Sequence, residues 1–149
     1  MKRSEFMMGG EKIDNLKAGV AMENRVKYCH SSTSWGNIAS VLVDRGYGSL
    51  PVVDDDMNLI GIVSEYDLLK VLLEKRDEKN VKAEDIMTKK LITVEEDTSI
   101  IDVIKILEDH GLIRVPVVKE SKLVGILTRR DVLFCYLQAT HKPPHGFGF

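Results

Sequence analysis

The chain repeats itself, and that limits the folds open to it more than any other feature. Residues 61–67 read GIVSEYD, and residues 125–131 read GILTRRD. A shift of 65 positions pairs Met22 with Met87, Thr33-Ser34 with Thr98-Ser99, Leu42 with Leu107, Gly46 with Gly111 and Pro51-Val52-Val53 with Pro116-Val117-Val118. One residue then drops out between the polar turns DDDMN and KESK. From there an offset of 64 pairs Leu59 with Leu123, Asp67 with Asp131 and Leu69 with Leu133. Surface turns absorb such length changes without disturbing the elements they join. Any fold for this chain is therefore one unit built twice.

Each copy supplies the same elements. In TSWGNIASVLVDRG, Trp35, Ile38, Ala39 and Leu42 fall at i, i+3, i+4 and i+7, with Gly46 as a stop. TSIIDVIKILEDHG repeats this with Ile100, Val103, Ile104, Leu107 and Gly111. That spacing predicts two amphipathic helices with hydroxyl or acidic starts and glycine ends. LPVV with LIGIV, and VPVV with LVGIL, are short aliphatic runs around polar loops and predict two hairpins. EYDLLKVLLEK and RRDVLFCYLQA follow as second helices. The expected unit is β-α-β-β-α, an α/β (α+β) fold. One unit of about 55 residues buries too little surface to be secure alone, so the two are expected to pack sheet to sheet with pseudo-two-fold symmetry.

The domain reading is a flexible N-terminus at 1–10, an N-terminal helix and repeat 1 at 11–75, a linker at 76–84, repeat 2 at 85–140 and a tail at 141–149. Ile13, Leu16 and Val20 suggest the N-terminal helix, whereas EKRDEKNVKAED, residues 74–85, lacks an apolar stripe and reads as a solvated connector.

Composition excludes several classes. The chain has 149 residues, 44% hydrophobic, and a net charge of −2 from 21 basic and 23 acidic side chains. Without a basic face, nucleic acid is not an expected partner. No apolar run nears the roughly 20 residues of a membrane span, and the first ten residues lack the apolar core of a secretion signal. Cys29 and Cys135 are too few and too far apart for a disulfide framework or a zinc site. The expected setting is cytoplasmic. DDDMN lacks the glycine and terminal glutamate of a calcium loop, so a hairpin turn is the better reading. No Ser–His–Asp order or nucleophile elbow points to catalysis.

Taken together, EDIMTKKLITV, GLIRVPVV and GILTRRD in the second copy, with GYGSLPVV and GIVSEYD in the first, resemble a tandem pair of CBS domains, over residues 20–138. The resemblance implies a regulatory module rather than an enzyme. Its ligands would be adenosine-containing molecules (AMP, ADP, ATP or S-adenosylmethionine) held in a cleft between the repeats, with no required cofactor. It also implies a homodimer, commonly a head-to-head disc, and a free-standing module signalling in trans to an unnamed protein target. An alternative is a structural or dimerisation module whose pockets are vestigial.

The recurring hydroxyl and acid suit such a ligand. A ribose offers two adjacent hydroxyl donors, and an ionised Asp accepts with both oxygens. In the resembled family the acid at this position grips the ribose, which points to Asp67 and Asp131. Ser64 or Thr128, three residues earlier, would stand at a helix start that attracts phosphate, and the motif glycine would let the ligand approach the backbone. The same pattern is also a helix capping box, and the two roles can coexist.

The copies differ in charge. Arg114, Arg129 and Arg130 surround the second motif and favour phosphate, where the first copy has Ser49, Glu65 and Tyr66. The resemblance further places Thr93 and Val94 against the adenine, with Ile113, Val115 and Pro116 as wall. Thr128, Arg130 and Asp131 complete this preferred site. Its counterpart in repeat 1 would comprise Tyr28, Cys29, Leu50, Pro51, Ser64 and Asp67. Cys29 alone would more simply be a small buried hydrophobe.

Overall fold

The computed structural model describes residues 13–140; the expected N-terminus at 1–10 and tail at 141–149 lie outside them. The first half runs through a 3-10 turn at Ile13–Asn15, α1 (Ala18–Ala21), β1 (Cys29–His30), α2 (Trp35–Arg45), β2 (Ser49–Val53), β3 (Leu59–Ser64) and α3 (Glu65–Leu73). A 3-10 turn at Glu78–Asn80 leads to α4 (Ala83–Ile86), β4 (Val94–Glu95), α5 (Ile100–Asp109), β5 (Arg114–Lys119), β6 (Lys122–Thr128) and α6 (Arg129–Thr140). The order β-α-β-β-α occurs twice, in a mixed α+β fold with two three-stranded sheets, β1-β2-β3 and β4-β5-β6.

Local chemistry sets the helix ends. Ser34 Oγ accepts from Asn37 N at 3.2 Å, and Ser99 Oγ accepts from Asp102 N at 3.1 Å. Each bond satisfies one of the four donors that a helix start leaves unpaired. Gly46 (φ 66°) and Gly111 (φ 61°) take the left-handed conformation just beyond α2 and α5, which a side chain would resist. Inward, α2 buries Ile38 and Leu42, and α5 buries Ile100, Val103 and Leu107.

The sheets share a register. Cys29 and His30 pair in parallel with Val52 and Val53, as Val94 and Glu95 do with Val117 and Val118. Parallel pairing requires a crossover helix, which α2 and α5 provide. Central strands β2 and β5 are buried from Leu50 to Val53 and from Val115 to Val118, the continuous apolar signature of a strand covered on both faces. Between β2 and β3, Asp54 Oδ1 accepts from Asp56 N and Asn58 N at 2.9 Å, and Oδ2 from Asn58 Nδ2 at 3.0 Å. These bonds, that from the Asn58 side chain foremost, hold the Asp54 carboxyl below its usual pKa. DDDMN is a hairpin turn.

The chain divides into two compact units whose limits do not follow the repeats. Among the described residues, one unit comprises 13–26, 92–119 and 124–140, and the other 27–91 and 120–123. Residues 13–26 thus pack with elements of the second repeat, with Leu16, Ala18 and Ala21 joining Val94, Ile100, Val115 and Leu127 in one core. They form a 3-10 turn and one turn of α-helix instead of the continuous helix expected. Ala18 N and Gly19 N donate outward to Thr98 O and Glu96 O, each at 2.8 Å, so one helix never propagates through them. The stretch 74–85 also departs from a solvated connector. Val81 and Ala83 are buried, and Trp35 N donates to Val81 O at 2.9 Å. Two small apolar residues dock it, too few to make a periodic stripe.

Candidate ligand-binding site

At the start of α6 the β6 strand ends in Thr128, and the backbone turns into the helix through a reciprocal pair of bonds. Thr128 N donates to Asp131 Oδ2 at 2.9 Å, while Asp131 N donates to Thr128 Oγ1 at 3.0 Å. The first repeat has the same arrangement. Ser64 N donates to Asp67 Oδ2 at 2.8 Å and Asp67 N to Ser64 Oγ at 3.2 Å. Both acids therefore form capping boxes, the reading that sequence left open. One oxygen of each carboxylate is so used. Neither Oδ1 takes a hydrogen bond from any described residue, so half of each acceptor fork remains for a ligand.

Beside Asp131 lies an open depression of about 600 Å³ lined by Ile113, Arg114, Thr128, Arg129, Arg130 and Leu133. A backbone bond at 3.0 Å from Arg129 N to Ile113 O draws the helix start against β5, as Glu65 N to Gly48 O does in the other repeat. Arg129 and Arg130 are exposed, and neither side chain has a hydrogen bond or ion pair among the described residues. Three guanidinium groups in one concavity, none opposed there by an acid, form a local positive field suited to phosphate.

Of the residues expected in this site, Ile113, Arg114, Thr128 and Arg130 line the depression together, and Asp131 is tied to Thr128. Val94, Val115 and Pro116 are not in its lining: all are buried, and the two valines belong to the core cluster. Thr93 is half-buried just before β4 and also outside the lining. Leu133 was not expected. Its signal was its spacing, three residues after Arg130 on the face opposite Val132.

In the first repeat Leu50, Pro51 and Cys29 are buried, while Tyr28 is exposed and meets His30 edge-on with ring centroids 5.8 Å apart. Burial pushes the Cys29 thiol up to about 11.

The motif glycines do not serve the expected purpose. A Cβ on Gly61 would stand 2.8 Å from Met87 Cγ, and one on Gly125 would stand 2.9 Å from Met22 Cγ. The space over each glycine is filled by a methionine from the segment leading into a repeat. Antiparallel bridges fix those segments, Ile62 to Thr88 and Glu23 to Ile126.

A doubled β-α-β-β-α unit with a hydroxyl–acid bend at each second helix defines a paired regulatory-type module, and comparison with known proteins agrees. The CBS domain family model matches residues 17–74 and 83–137, and the chain belongs to this family. An uncharacterized protein of Methanopyrus kandleri, MK0525, is 39% identical over 107 residues, covering 69% of this chain. The chain spans only about half of that relative, 55% of its length. Among solved structures, CBSX2 in complex with AMP is 34% identical, with a TM-score of 0.73 over 82% of this chain and 96% of that one; CBSX2 is a CBS-pair protein from Arabidopsis thaliana. The CBS domain pair of protein MJ0100, solved with 5′-methylthioadenosine and S-adenosyl-L-methionine, is 27% identical, with a TM-score of 0.70 over 81% of this chain and 95% of that one. No helix among the described residues is long and apolar enough to cross a membrane.

Proposed function

We propose that this chain is a regulatory module that binds an adenosine-containing ligand and passes the signal to a protein target. The repeat 2 site is the principal one. Asp131 accepts from the ribose hydroxyls through its unused oxygen, and Arg114, Arg129 and Arg130 receive the phosphate at the start of α6. The observation that carries this reading is the depression of about 600 Å³ in which those arginines meet beside the Thr128–Asp131 bend. The AMP held by CBSX2 and the adenosyl ligands held by MJ0100 support the ligand class. Charge favours a phosphate-bearing member: AMP, ADP or ATP ahead of S-adenosylmethionine. The module works as a homodimer. Its response to ligand is limited by the ligand's differential affinity for the two states it shifts between.

The test is a thermal-shift series with AMP, ADP, ATP, adenosine and S-adenosylmethionine. A ligand at about a hundredfold over its Kd stabilises by about 2.7 kcal/mol. Stabilisation that grows from adenosine to the nucleotides is the expected result. A melting temperature unmoved by all five would overturn the sensor reading in favour of vestigial pockets.

A further inference from the structure

We propose that the exposed apolar face of α3 docks against the exposed face of α6 in a second copy of this chain. The inference deepens the homodimer reading above and rests on it. On α3, Tyr66, Leu69 and Leu73 fall at i, i+3 and i+7 and are 83%, 55% and 81% exposed, while Leu68 and Val71 on the opposite side are buried. On α6 the matching positions are Arg130, Leu133 and Leu137, opposite buried Val132, Cys135 and Ala139; Leu133 is 65% exposed. Each helix therefore turns a second apolar stripe outward, beyond what its own unit covers. Contiguous apolar surface of this kind marks an interaction site.

The two stripes are alike in their leucines and opposite in their first turns. Glu65-Tyr66 opens one and Arg129-Arg130 opens the other. With helix starts side by side, the Glu65 carboxylate meets a guanidinium, the Tyr66 ring meets the other, and leucine meets leucine. Packing α6 on α6 in that orientation sets four guanidinium groups together, and α3 on α3 sets two carboxylates together. Reversing either like pair leaves the complementary charges unmatched. A second copy supplies both the apolar stripe and the opposite charge, which is why it is the occupant. Arg129 and Arg130 also line the candidate ligand depression, so Glu65 of the second copy and a phosphate draw on the same groups.

The experiment is sedimentation equilibrium of the nucleotide-free chain at low salt, with Glu65→Arg, with Arg129→Glu/Arg130→Glu and with all three changes together. Thermal melts check that each variant folds. The single and double changes are expected to weaken association about tenfold or more, and the triple variant to return to within about threefold of the parent. Leu133→Glu should also dissociate the pair. If the parent is dimeric and all charge variants match it, the α3–α6 contact is overturned while the homodimer stands. Charge variants that weaken association without recovery in the triple variant overturn the pairing of these charges. If the parent remains monomeric at concentrations on the order of 100 µM, the homodimer reading falls with it.

Discussion

A carboxylate can accept more hydrogen bonds than a helix cap uses, and at Asp131 that surplus separates stability from binding. Oδ2 is committed to Thr128 N; a ribose would call on the other oxygen. Asp131→Ala should remove charge-assisted bonds of roughly 1.5–3 kcal/mol and weaken nucleotide binding about ten- to a hundredfold by calorimetric titration. Asp131→Glu keeps the charge and the reach for capping but displaces the fork, so binding should still fall while the melting temperature stays near that of the parent. Affinity undiminished in Asp131→Glu would reduce the acid to its cap. Cys29 offers a second residue-scale prediction. Its thiol is held neutral by burial up to about pH 11, above the roughly 8.5 of a free cysteine. Its contribution to stability is thus complete below about pH 8.5 and is lost as pH rises toward 11. At pH 8.5 iodoacetamide should label Cys29 slowly in the folded protein and quickly in denaturant, read by peptide mass spectrometry. Equal rates would mean the thiol is not buried.

Elements whose signals are local were legible in the sequence; those whose cause lies far along the chain were not. The caps at Ser34 and Ser99, the stops at Gly46 and Gly111 and the hairpins around PVV all follow from neighbouring residues. Asp131 was legible as a bend but not as one oxygen used and one spare, because that is a matter of geometry. Val94 and Val115 looked like pocket wall, yet alternation along a two-residue or fully buried strand cannot say which side holds ligand and which side holds core. Gly61 and Gly125 looked like places for close ligand approach. The occupants, Met87 and Met22, are 26 and 103 residues distant in the chain, beyond any local pattern. At this scale Gly125→Ala should cost about 1–3 kcal/mol by overpacking, with denaturant melts as the measurement. Adding Met22→Ala should recover part of that loss, and the coupling in the double-mutant cycle should be clearly non-zero. Additive losses would mean that methionine and glycine do not touch.

The methionine–glycine contact belongs to a larger pattern, because the molecule's compact units are not its repeats. Residues 13–26 precede the first repeat in the chain but lie in the core built on β4, β5, β6 and α5. Leu16 is completely buried there, and Ile100 N donates to Leu16 O at 2.9 Å. Truncating a buried leucine typically costs 2–5 kcal/mol, the larger values where the cavity cannot collapse. Where that loss registers is the informative part. If sequence order governed the core, Leu16→Ala would loosen the elements next to it, β1 and α2. The packing says otherwise, because its neighbours are Ile100 and Val103, more than eighty positions along. Hydrogen exchange followed by mass spectrometry on Leu16→Ala should therefore show the first loss of protection in peptides from 92–119 and 124–140, with peptides from 29–53 affected less. Local stability is what exchange reports, so a reversed ranking would place residues 13–26 on the wrong unit. The same substitution should loosen α6, where Cys135 and Ala139 share the Leu16 core, and with it the base of Arg129 and Arg130. Nucleotide affinity should then fall with stability in Leu16→Ala, in contrast to Asp131→Glu, where affinity falls alone.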